Sequence, residues 1–121
     1  MPTPRETIVE NAVIEYAEGL GFMHRKISYI GRRGAPDDHF YGSPALFVIV
    51  EFKKAGKPPT AQQGREHDRL RGRGFPVHVI DNVEAGKALF DRVLATAKAQ
   101  VKKLSEQPAR ETTFYDGYDA H

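Results

Sequence analysis

With 121 residues, 40% of them hydrophobic and 28% charged, the chain has the composition of one globular domain large enough to bury its own core. It has no cysteine, which excludes disulfides, thiolate metal sites and cysteine nucleophiles together. The net charge is only +2, yet Phe22 to Arg73 holds eleven Lys or Arg against five acids, a local excess that suits a phosphate-rich partner.

No apolar run approaches the roughly 18 residues of a membrane span, and the N-terminus is polar rather than signal-like. A cytoplasmic protein with no membrane partner is therefore expected. After two prolines in the first five residues, Ile8, Ala12, Val13, Tyr16, Ala17 and Leu20 recur at helical steps, predicting a helix from Glu6 to about Leu20. Thr3 with Glu6 reads as a capping box, Pro4 as the first helical residue, and Gly19 or Gly21 as the stop. Phe22–Ile30 reads as a strand closed by the turn Gly31-Arg-Arg-Gly34, and Pro36–Tyr41 as a short second strand. Gly42-Ser-Pro44 then turns the chain into Ala45–Lys53, the clearest strand of the sequence.

Pro58 and Pro59 stop any continuation of that strand, and Thr60 is placed to cap a helix over Ala61–Arg73, closed by Gly74. Pro76–Asp81 reads as a buried strand. Asp81 or Asn82 would cap a last helix from Val83 to about Leu104, with Ala85, Ala88, Leu89, Val93 and Leu94 along one face. The order is αβββαβα. Strand–helix–strand through residues 45–81 implies a parallel crossover, and the short turns before it imply antiparallel pairs. The expected architecture is α/β: a mixed sheet flanked by helices, one domain over 1–104, then a polar, acidic and aromatic tail over 105–121 that is disordered or docks on a neighbour.

The chemistry concentrates between Gly34 and Lys54. In Glu51-Phe52-Lys53 the two-residue period of a strand sends Glu51 and Lys53 to one face and Phe52 to the other. Charged groups inside so apolar a strand are expensive unless compensated, and a divalent cation shared by Asp37 and Glu51 would compensate them. The backbone carbonyl of Phe52 is a further candidate ligand, and Lys53 could orient a water or neutralise charge on a phosphorane-like transition state. Against this stands the plain reading: Gly-Ala-Pro-Asp37-Asp38 as a turn, and Glu51 with Lys53 as a surface ion pair.

Glu10, on the first helix, is either solvated or a third acid near the metal. Gln63 and His67 are four apart and so share a helix face, which either points at the site from the helix N-terminal end, where backbone N–H groups favour a phosphate, or is a solvated polar stripe, a reading that suits His67 better than Gln63. Arg32 and Arg33 lie in a glycine-flanked turn suited to a nucleic-acid backbone, with Lys54, Lys57 and His67 as further DNA-binding candidates. His24, His39 and His78 lack metal-ligand spacing and are expected to be structural or peripheral. Of Arg65, Arg69, Arg71 and Arg73, some are expected only to solubilise the helix.

Gly-Ala-Pro-Asp37 followed by Glu51-x-Lys53, with Thr-Ala-Gln-Gln63 downstream and Val77-His-Val-Ile beyond, resembles the split signature of restriction-endonuclease-like nucleases. Within that group the sequence is most similar to the VRR-NUC domain, over residues 6 to about 85. The resemblance implies a restriction-endonuclease-like fold, Asp37 and Glu51 as ligands of magnesium or manganese, Lys53 as the catalytic lysine, and Glu10 and Gln63 as supporting residues. Asp38 stands where the family pattern expects an apolar residue, which leaves open which aspartate binds metal. The resemblance further implies a DNA endonuclease, similar to Holliday-junction resolvases, acting on branched DNA as a homodimer in repair or recombination. The alternatives are the same chemistry on flap, nicked or linear DNA, and a non-catalytic DNA-binding protein that keeps the fold.

Overall fold

Residues 5–106 are described by the structure, a computed structural model. Its elements follow the expected order: α1 (Glu6–Gly19), β1 (Met23–Lys26), β2 (Asp38–Gly42), β3 (Leu46–Phe52), α2 (Ala61–Arg71), β4 (Val77–Ile80) and α3 (Val83–Ser105). The four strands form one sheet in the order β1-β2-β3-β4. The first two pairs are antiparallel, and β3 and β4 are parallel, joined through α2.

Local chemistry explains most boundaries, with corrections. Arg5 is the N-cap of α1 and its side chain makes no capping bond; the predicted Thr3 and Pro4 lie outside the described residues. The helix closes where the Phe22 N–H reaches the Ala17 carbonyl at 3.0 Å, satisfying an end carbonyl. Its inward stripe is Val9, Val13 and Ala17, whereas Ile8, assigned to that stripe from periodicity, is 58% exposed. Strand β1 stops four residues short of the expected Ile30. In the β1–β2 register Lys26 pairs with Asp38, so Ser28 would meet Pro36, which has no N–H to donate.

In α2, Thr60 and Gln63 form a reciprocal capping box: the Gln63 N–H donates to Thr60 Oγ1 at 3.2 Å, and the Thr60 N–H to Gln63 Oε1 at 2.9 Å. The helix ends at Arg71, two residues before the expected limit. Asn82 caps α3, accepting from the Ala85 N–H at 2.8 Å, while Asp81 accepts from the Gly56 N–H instead. Helix α3 runs one residue past the expected domain limit, to Ser105; the tail from 107 onward lies outside the described residues.

The core lies on the sheet face covered by α1 and α3. Val48, Val50 and Phe52 of β3 alternate onto it beside Phe40 of β2, with Leu89 and Phe90 of α3 above. Phe90 sits edge-on to Phe22 and Phe40, at centroid separations of 5.0 and 4.7 Å. The expected face of α3 included the exposed Ala88 and omitted Phe90, which is fully buried. A Cβ on Gly86 would collide with the Val13 side chain, so this glycine lets α3 lie directly on α1. The sheet therefore has one face sealed by two helices, and a second over which α2 brings Gln63 and His67.

Candidate active site

Strand alternation sorts the two neighbouring aspartates. Asp38 pairs with Val50, and Lys26 with Asp38, so Asp38 shares its face with Val50, His24 and Lys26. Its side chain is almost wholly buried and contacts His24 Nε2 at 2.7 Å. Asp37, one residue earlier and half exposed, precedes the alternating set His39, Tyr41 that lies opposite Ile49 and Phe47, the face of Glu51. Asp37 raises the Glu51 pKa by its negative charge, which places the two carboxyls within electrostatic range.

Glu51 is 8% exposed and Lys53 6%. Phe52 between them turns its ring into the core, as alternation requires, so its carbonyl is the group it can offer to a ligand. Burial, reinforced by Asp37 and Glu6 and opposed by Lys53 and Lys26, pushes the Glu51 carboxyl up to about 7. Helix α2 supplies the neutral partners: Gln63 Nε2 donates to Glu51 Oε2 at 3.5 Å, and His67 Nε2 lies 3.4 Å from Glu51 Oε1.

His67, expected to point at the site with Gln63, to bind DNA or to lie on a solvated stripe, has a side chain only 1% exposed, which excludes the solvated stripe. Burial, with Arg71 adding to it, holds its pKa below the usual value, so a neutral imidazole faces the acid. It is a partner of Glu51 from beneath the site. Arg32, Arg33, Lys54 and Lys57 are all exposed, on the loops that flank it.

Glu10 arrives from α1 on the other side of the β1–β2 ladder. Its Oε1 accepts from Lys26 Nζ at 2.6 Å, and the same ammonium lies 3.4 Å from Asp38 Oδ2 and 3.9 Å from Asp37 Oδ2. Lys26 thus ties three acids together across the end of the sheet. Burial works against its charge, but the bond it donates to Glu10 and the fields of Asp38 and Asp37 outweigh it and raise its pKa. Asp38 is pushed up to about 7 by burial, against the bond from His24.

Glu10, His24 and Asp38 offer ligand atoms within 4.8 Å of one another, a grouping that could hold a cation, and the Lys26 ammonium lies against two of them, Glu10 and Asp38. Neither His24 nor Lys26 stood out in the sequence. His24 lacked conventional ligand spacing, but the signal was present: His24-x-Lys26 repeats the two-residue spacing of Glu51-x-Lys53 on the neighbouring strand pair.

A mixed four-stranded sheet with flanking helices, carrying an acid before one strand and an acid-x-lysine on the next, defines a restriction-endonuclease-like domain. The comparisons agree. The chain is 33% identical over 85 residues to "Putative nuclease p44" of Acyrthosiphon pisum secondary endosymbiont phage 1, spanning 70% of this chain and 91% of that protein. It superposes on a solved VRR_NUC domain with a TM-score of 0.67 at 36% identity, over 71% of this chain and 94% of the other. No family model matches the sequence. The chain belongs to the VRR-NUC domain nucleases.

Proposed function

We propose that this protein is a magnesium- or manganese-dependent DNA endonuclease that hydrolyses phosphodiester bonds, is selective for branched DNA and works as a homodimer. The observation that supports the hydrolytic part is that the Glu51 carboxyl, buried at the end of β3, feels the charges of both Lys53 and Asp37. The donor set suits a hard divalent cation: carboxylate oxygens, an available backbone carbonyl at Phe52 and no sulfur ligand. A buried acid raised to about 7 beside a second acid is also a group that a cation would relieve.

Asp37, Glu51 and the Phe52 carbonyl would hold the ion. When bound, it supplies Lewis-acid polarisation of the phosphate and activation of water. Gln63 and His67 keep the Glu51 carboxylate oriented from below. Lys53, held by the strand beside Glu51, orients the attacking water and offsets negative charge as it builds on the phosphorus centre. Glu10 acts through Lys26, which fixes the end of the sheet next to Asp37. Arg32, Arg33, Lys54 and Lys57 hold the DNA backbone through its phosphates.

The homodimer follows from the substrate: cutting two strands of a junction symmetrically needs two sites related by a two-fold axis. The test incubates the protein with a four-way junction, a flap and a linear duplex, each with magnesium, manganese or EDTA. Symmetric junction nicking that EDTA abolishes supports the proposal. Equal cutting of all three substrates would remove the selectivity, and binding without any cutting would remove the nuclease.

A further inference from the structure

A cleft of about 580 Å³ opens between the turn after β1 and the outer face of α2, lined by Tyr29, Arg32, Arg33, Gln62, Arg65 and Arg69. Its arginines come from two separate segments. Arg32 and Arg33 sit on the glycine-flanked turn, while Gln62, Arg65 and Arg69 recur at helical steps along one side of α2, outside the inward pair Gln63 and His67. The walls are fixed. Gly34 has φ +78, and a Cβ there would come within 3.0 Å of the Gln62 carbonyl carbon and oxygen, so the turn rests directly on the first residues of α2. The Tyr29 hydroxyl is hydrogen-bonded to His39 Nε2 at 2.9 Å, which anchors the far wall to β2.

The charge in this cleft is largely uncompensated. Arg69 pairs with Glu66 at 3.1 Å, but among the described residues Arg32, Arg33 and Arg65 have no acid within ion-pair distance. Guanidinium groups converging around one hollow repel one another, and an anion with several acceptor oxygens relieves that repulsion while matching their planar donors. The cleft also shares its wall with the candidate active site: Gln62 faces the cleft, and Gln63, the next residue, reaches Glu51.

We infer that this cleft is a phosphate subsite, taking an internal phosphodiester of the strand that is cut, beside the scissile bond. The inference rests on the nuclease reading for its substrate class. It assigns Arg65 and Arg69, together with Tyr29, to nucleic-acid binding, and it makes Arg32 and Arg33 two sides of one defined pocket.

The test measures anisotropy of a fluorescent four-way junction in EDTA over about 50–200 mM salt, with Arg65→Ala, Arg33→Ala and, as a reference for loss of a charge elsewhere, Lys103→Ala on α3. Arg65→Ala and Arg33→Ala should each weaken binding several-fold and lower the salt slope by about one relative to Lys103→Ala. Using both variants probes the cleft from both walls, so disturbance of either segment alone does not decide the result. Losses no larger than that of Lys103→Ala overturn the subsite.

Equal affinity for 5′-phosphorylated and 5′-hydroxyl ends supports an internal phosphodiester. A preference for the phosphorylated end that Arg65→Ala abolishes overturns that assignment in favour of a terminal phosphate. Cleavage is read separately with magnesium or manganese. Wild-type protein that shows the arginine-dependent slope but cuts nothing sinks the nuclease reading and leaves the subsite standing. Cutting by a wild type whose cleft variants match Lys103→Ala does the reverse.

Discussion

His67 Nε2 lies 3.4 Å from Glu51 Oε1, with the imidazole side chain only 1% exposed. A buried acid next to a buried neutral ring means that each is the other's solvation. His67→Ala therefore removes both packing volume and a polar partner, and should destabilise the protein by about 2–4 kcal/mol in urea unfolding. His67→Gln keeps an amide donor and should recover part of that loss.

Asp37 is half exposed, and Lys53 is buried close enough to Glu51 to act on its charge. Asp37→Asn and Lys53→Ala should abolish cleavage while leaving junction binding largely intact, read by gel cleavage and anisotropy in parallel. Wild-type cutting by Lys53→Ala would be incompatible with the proposed mechanism.

Glu51 and Asp38 both have folded-state pKa values raised to about 7, from ordinary values of 4.5 and 3.8. Between those limits the folded protein holds more protons than the unfolded chain, so stability falls as pH rises. In EDTA the melting temperature should be highest at about pH 4 as far as these two groups decide it, and decline through about pH 7. Glu51→Gln should flatten part of that decline. Magnesium or manganese added above pH 7 should raise the wild-type melting temperature and leave that of Glu51→Gln nearly unchanged.

Gly34 touches the backbone of Gln62 with a left-handed φ of +78. Gly34→Ala adds both steric contact and backbone strain, costing about 1–3 kcal/mol in denaturant unfolding. It should also weaken DNA binding more than it weakens cleavage at saturating DNA, because it shifts the arginine turn against α2.

Element order, strand directions and the placing of Lys53 beside Glu51 were legible because they rest on local periodicity and on the two-residue alternation of strands. The exposed end of the first strand, Ser28 to Ile30, was not: its apolar content reads as strand, and only the register reveals Pro36 opposite. The burial of His67 was not legible for the same reason. On α2 its neighbours are charged, and its burial comes from Glu51, sixteen residues away. The His24, Lys26 and Asp38 cluster needs the pairing of β1 with β2, which a single strand read in isolation does not contain.

Gln63 serves two structures with one side chain: its Oε1 closes the capping box with Thr60, and its Nε2 reaches Glu51. Fraying of the first turn of α2 therefore also strips the buried acid of a donor. Helix ends open at far lower free energy than whole domains. On heating, then, activity should decay reversibly before the far-ultraviolet circular dichroism of the sheet and the other helices changes.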